Sequence, residues 1–138
     1  MRRPALNWCL MVVAAGALAA CSSSKEVPVD PNIYPSQYKQ EIADTLSRTL
    51  IDPTNIRDAF VSDPVLTPLG KDQRYSACVR YKARDASRQY TGSTDRIAYF
   101  FGGHLNQLVE ATKEQCGNAA YKPYPELQAL CRSEHKCD

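Results

Sequence analysis

Residues Tyr75–Arg84 read YSACVRYKAR, and their alternation decides the fold. Tyr75, Ala77, Val79, Tyr81 and Ala83 fall on one side of an extended chain, and Ser76, Cys78, Arg80, Lys82 and Arg84 on the other. Side chains of a strand point alternately to its two faces, so the pattern predicts a strand with one buried side. Toward the C-terminus, Asp85–Asp95 (DASRQYTGSTD) reads as a turn region. Arg96–Phe101 (RIAYFF) is dense in aromatic and β-branched residues and reads as a central strand. Gly102-Gly103 is a two-residue hairpin signal. His104–Ala111 (HLNQLVEA) then returns as the next strand, although Leu105, Leu108 and Val109 also satisfy helical spacing.

Toward the N-terminus, Leu66–Arg74 (LTPLGKDQR) is rich in breakers and reads as a loop. Arg57–Ser62 (RDAFVS) reads as a short strand closed by Asp63-Pro64, and Asp52–Asn55 (DPTN) as a turn. In Pro35–Pro53, Tyr38, Ile42, Leu46 and Leu50 recur every four residues, the stripe of an amphipathic helix. Pro53 disfavours helical geometry at Asp52, so that helix ends near Ile51. After Thr112 a loop leads to a short helix beginning near Pro125. The fold class that follows is α+β: an N-terminal amphipathic helix packed on an antiparallel sheet of about four strands in a meander, with a short C-terminal helix. Residues 35–138 form one domain with a cysteine-containing tail, and there are no internal repeats.

Residues 1–34 are of another kind. A basic head, Arg2-Arg3, precedes the uncharged run Leu10–Ala20 (LMVVAAGALAA). Its eleven residues suit the apolar core of a secretory signal and fall short of the roughly 20 needed to span a bilayer as a helix. Leu18-Ala19-Ala20-Cys21 resembles the lipobox of bacterial lipoproteins, which implies cleavage between Ala20 and Cys21 and lipid attachment at Cys21. The residue types match the chemistry: a thiol forms the thioether to diacylglycerol, and small side chains fit the signal peptidase. A second, palmitate-type chain on the freed amine turns marginal binding into a stable anchor. Residues 21–34 then form a lipidated flexible tether, polar and broken by Pro28 and Pro31. No cofactor is expected beyond that covalent lipid.

Of 17 basic residues, Arg2 and Arg3 belong to the leader, which leaves 15 against 15 acidic ones. A formally neutral chain gives no electrostatic basis for nucleic-acid binding. Four cysteines remain after Cys21: Cys78, Cys116, Cys131 and Cys137. An even count in an exported domain reads as two disulfides, for which three pairings exist. We favour Cys78–Cys116 with Cys131–Cys137, because the latter two are close in sequence. The alternative, zinc on Cys131-x3-His135-x-Cys137, matches no common spacing, so no metal site is expected.

Three stretches together carry a wider resemblance: Leu50–Pro64 (LIDPTNIRDAFVSDP), Tyr75–Arg96 (YSACVRYKARDASRQYTGSTDR) and Glu114–Leu127 (EQCGNAAYKPYPEL). From about Tyr34 to Leu130 the chain resembles uncharacterised small envelope lipoproteins of α-proteobacteria (rhizobial type). That resemblance implies that Cys78 and Cys116 are the family's cysteine pair, and that Cys131 and Cys137 are an addition of this chain. It departs at Ser87-Arg88-Gln89, where the family often has a glycine before the tyrosine. It implies no activity. A looser likeness, at the level of fold, is to BamE-type small outer-membrane lipoproteins.

Candidate chemistry is sparse. Neither His104 nor His135 has a carboxylate at a recognisable spacing, no serine lies in G-x-S-x-G, and no glycine-rich loop suits phosphate. No catalytic residues and no small-molecule substrate are therefore expected. A His104 set in a cleft with an acidic partner would revive a hydrolase. Seven basic residues between Lys71 and Arg96 face three acidic ones, so Arg80, Lys82 and Arg84 form a candidate face for anionic head groups or an acidic envelope protein. Tyr121 and Tyr124 are candidate exposed anchors. The expected object is a lipid-anchored protein of the outer membrane facing the periplasm, a binding or scaffolding module. The alternatives are an accessory of β-barrel assembly and a periplasmic enzyme inhibitor that uses the Leu66–Arg74 loop.

Overall fold

The computed structural model describes residues 26–130. Ala20 and Cys21, with the leader, and Cys131, His135 and Cys137, with the tail, lie outside the described residues. The elements are α1 (Tyr38–Thr49), β1 (Asp52–Val61), β2 (Val65–Leu69), β3 (Asp72–Arg84), β4 (Thr94–Phe101), β5 (His104–Glu110), α2 (Lys113–Cys116), β6 (Lys122–Pro123) and α3 (Pro125–Gln128). The fold is α+β with an antiparallel sheet of six strands, two more than the sequence suggested.

Thirteen residues long, β3 organises the sheet. One side pairs with β4, Ser76 opposite Tyr99 through Tyr81 opposite Thr94. Its other side is shared: β2 lies along Asp72–Ser76 and β1 along Val79–Arg84. The strand order is β5-β4-β3-β1-β6, with β2 also on β3. The stretch Leu66–Arg74, read as a loop, is instead the greater part of a hairpin. Pro68 is tolerated because β2 pairs with one strand only, and Gly70 supplies the positive φ (+64°) that the tight turn demands.

The other departure is β1, which begins at Asp52 rather than Arg57. Its register against β3 slips twice, between Asp52 and Arg57 and between Arg57 and Phe60. Asn55 (φ +53°) and Asp58 (φ +50°) lie in these irregular stretches, and Asn and Asp are the side-chain-bearing residues that best tolerate left-handed backbone. At the turn after β3, Arg88 takes φ +59°, the conformation that a glycine there would adopt without strain.

Both faces of the sheet are covered. On one, Ala77, Val79, Tyr81, Ala83, Ala98 and Phe100 pack beneath Ile42, Ala43 and Leu46 of α1, with Tyr124 and Leu127 closing the layer. On the other, Cys78, Ile97 and Tyr99 form a smaller cluster with Cys116. The second cluster corrects the expectation that β3 has one buried side. The Cys78–Cys116 disulfide, with Cα atoms 5.7 Å apart, brings α2 down onto that face, and Cys78 is 6% exposed.

Part of the expected tether touches the domain. Gly102 N–H donates to the Pro31 carbonyl (3.1 Å), and the Tyr34 ring meets Tyr75 edge-on at 5.3 Å. Val29 and Ile33 lie so close over Gly102 and Gly103 that a Cβ there would come within 2.8 and 3.0 Å of them. Glycine is required at this hairpin for that close approach as well as for its positive φ.

Candidate functional site

Between β1 and β2 the chain steps across Ser62–Pro64, and the step is held by the strand beside it. Ser62 N–H donates to the Cys78 carbonyl (2.8 Å), while Cys78 N–H donates to Ser62 Oγ (2.9 Å). Alongside, Thr67 and Ser76 hydroxyls bond each other at 2.6 Å. Across from this row sits α2, started by a capping box in which Thr112 Oγ1 accepts from Gln115 N–H and Gln115 Oε1 accepts from Thr112 N–H. The sequence signal for it is the spacing Thr112-x-x-Gln115.

These two walls enclose a groove of about 450 Å³ beside the disulfide, lined by Ser62, Asp63, Thr67, Ser76, Gln115 and Asn118 among others. Two carboxylates mark its rim. The Lys122 ammonium, hydrogen-bonded to Asp63, holds that carboxyl below the usual range, and the Tyr38 hydroxyl adds a bond at 3.3 Å. Burial and the neighbouring Asp63 together push the Tyr38 phenol up to about 12. The Glu114 carboxyl is held low by its own backbone N–H at the start of α2, helped by Thr112. Hydroxyls, two side-chain amides and ionised carboxylates suit hydrogen bonding to polar, neutral or cationic groups such as an extended peptide.

Next to the groove, Arg80, Lys82 and Arg84 stand in a row along β3, and each meets an acid from a neighbouring strand. Arg80 grips Asp95 through two bonds, Nε–Oδ1 at 2.6 Å and Nη2–Oδ2 at 2.8 Å. Lys82 Nζ lies 2.7 Å from Asp58 Oδ2, and Arg84 Nε lies 2.9 Å from Asp52 Oδ2. Arg84 also donates from Nη2 to Thr54 Oγ1 at 3.2 Å. The Arg80 guanidinium holds the Asp95 carboxyl below the usual range, against partial desolvation, and Asp95 in turn raises the arginine. The candidate face therefore carries three ion pairs whose acids lie 15 to 32 residues away in sequence or across the strand, and its local charge is balanced.

The two tyrosines proposed as anchors divide. Tyr121 is partly buried under the Arg80 guanidinium, 4.4 Å from its ring centre. Tyr124 is not exposed at all; its ring belongs to the main core and its hydroxyl donates to the Lys39 carbonyl of α1. His104 does have an acidic partner, Glu41 Oε1 at 2.8 Å from Nδ1, but the imidazole is 82% exposed rather than set in a cleft. The other oxygen of Glu41 accepts Leu105 N–H at 2.5 Å, so this carboxylate clamps α1 to the start of β5.

Among the described residues no group of three or more His, Cys, Asp or Glu side chains is placed to hold a metal ion. Among the same residues no helix is long and apolar enough to cross a membrane. Comparison with protein-family models, with curated proteins and with solved structures finds no match for the chain.

Proposed function

We propose that this chain is a lipid-anchored envelope protein whose folded head is a non-catalytic binding module, and that the groove beside the Cys78–Cys116 disulfide receives its partner. The observation that carries the anchor is Leu18-Ala19-Ala20-Cys21 at the end of an eleven-residue apolar run. Ser22 after the cysteine, in place of the aspartate that retains some lipoproteins at the inner membrane, favours the outer membrane facing the periplasm. The groove supports the binding role because its hydroxyls, amides and carboxylates are set on a disulfide-pinned frame at a fixed spacing. An extended segment of an envelope protein, offering amides and a cation, fits this lining.

Two measurements test the reading. Intact mass of protein taken from membranes should show cleavage before Cys21 and added acyl chains, and a Cys21→Ser form should move to the soluble fraction. Crosslinking in native membranes should capture a partner that Asn118→Trp, which fills the groove from an exposed position, no longer captures. An unmodified Cys21 overturns the anchor. Undiminished capture by Asn118→Trp overturns the groove. Recovery of barrel-assembly components would specify the module as an accessory of that machinery.

A further inference from the structure

We infer that one end of the sheet, the end bearing the Gly70-Lys71 and Gly102-Gly103 turns, rests against the lipid bilayer in a fixed orientation. This rests on the lipid anchor at Cys21 proposed above.

The two turns lie together because β3 and β4 run antiparallel: Arg74 near the start of β3 has its guanidinium 5.4 Å from the Phe101 ring centre at the end of β4. The N-terminal segment meets the domain at this same end, through Val29 over Gly102, Pro31 bonded to Gly102, Ile33 over Gly103, and Tyr34 on Tyr75. From Cys21 to Val29 there are eight residues, which reach at most about 28 Å when fully extended. Because the chain is fastened to the domain from Val29 onward, the lipid cannot lie further than that from the Gly102 turn. An untethered domain could present any surface; this one has a near end.

The near end has the surface that a bilayer interface takes. Val29, Ile33, Tyr34, Leu66, Leu69 and Phe101 are large apolar side chains between 43% and 58% exposed, and they come from three separate segments. Lys71 sets a cation at the tip of the β2–β3 turn, and Arg74, over the Phe101 ring, is paired with Asp72 at 3.5 Å. At the far end the turn after β3 exposes the polar Ser87, Arg88 and Gln89 with Ala86, and beside Asp52, which pairs with Arg84 there, Ile51 is 70% exposed. Apolar groups mixed with an aromatic rim and cations favour insertion into the head-group boundary, and a covalent anchor supplies the local concentration that makes weak insertion complete.

Hydrogen exchange tests the orientation. Full-length mature protein purified from membranes would be reconstituted into phosphatidylcholine vesicles and compared with soluble Cys21→Ser protein. Peptides covering residues 66–74 and 101–104 should exchange at least about threefold more slowly on vesicles, with residues 85–91 unchanged. Leu66→Glu with Leu69→Glu, both at exposed positions, should abolish that protection while the protein still floats with the vesicles. Equal exchange in both forms, or protection at residues 85–91 instead, overturns the orientation. A measured mass without acyl chains overturns the anchor itself, and with it the orientation, so the two failures are told apart before exchange begins.

Discussion

Tyr124 stands between Pro123 and Pro125, in a stretch whose composition suggests a surface loop, yet its side chain is fully buried. The backbone explains this: Tyr124 N–H donates to the Ala59 carbonyl at 2.9 Å, continuing the β6 pairing with β1 by one residue and turning the ring under α1. Its hydroxyl then reaches the Lys39 carbonyl in the first turn of that helix, and burial pushes the phenol well above its ordinary range. Tyr124→Phe should cost about 1 kcal/mol by removing that bond, and Tyr124→Ala about 3–5 kcal/mol by opening a cavity. Both are read as shifts in urea midpoint with unchanged slope. A tyrosine between prolines gives no sign in sequence of which backbone it will pair with, because the partner, Ala59, is 65 positions away.

At the scale of elements, the ladder of Arg80, Lys82 and Arg84 against Asp95, Asp58 and Asp52 ties β1, β3 and β4 across their polar edges. Asp95 and Asp52 both titrate below the ordinary carboxylate range, Asp95 because of Arg80, and Asp52 because bonds from Thr54 and Arg84 outweigh its desolvation. A depressed folded-state value means that the unfolded chain takes up protons first. The stabilisation is therefore complete above about pH 4 and is lost as pH falls below it. Stability should be flat in this respect from pH 7 to 5 and decline toward pH 3. Asp95→Asn should lower the pH 7 value by about 1 kcal/mol and flatten the decline, as followed by chemical denaturation across pH.

What was legible in sequence was what period alone encodes. The alternation of Tyr75–Arg84 and the aromatic run of Arg96–Phe101 describe β3 and β4, and the Gly-Gly pair marks the turn that returns as β5. Breakers misled where context absorbs them: Pro68 and Gly70 hid β2, and Asp52–Asn55 hid the bulged start of β1. The basic row was visible along one strand, but Asp52 and Asp58 lie on β1, outside the stretch whose charge was counted, and Asp95, inside it, gave no sign of which cation it would meet. The groove was invisible for the same reason, being made by a break between two strands and a four-residue helix brought opposite by a disulfide.

Taken whole, the molecule has a large core under α1 and a small one on the opposite face, and the small one depends on a covalent bond. Cys78 and Cys116, 38 residues apart, close a loop that contains β4 and β5, a constraint worth roughly 4 kcal/mol on the chain-entropy model. Cys78→Ala with Cys116→Ala should lower unfolding stability by about that amount. Exchange in residues 111–121 should rise more than in β3, since Ala111, Ala119 and Tyr121 pack on the cysteine cluster rather than on the main core. Equal loosening of both faces would show that the disulfide stabilises the whole fold and not the second layer in particular.

The sheet's margins differ in a way that matters when many copies crowd together. On one flank stand the five residues of β2, with Pro68 among them, the two of β6, and the part of β1 before Phe60, whose register slips twice; on the other runs β5, seven residues with an irregular register against β4. Polymerisation by strand addition needs two adhesive margins per subunit, one to receive and one to offer. Here the first flank is broken by Pro68 and by the irregular register of β1, so strand-to-strand encounters between copies should end at a pair instead of growing into a fibre.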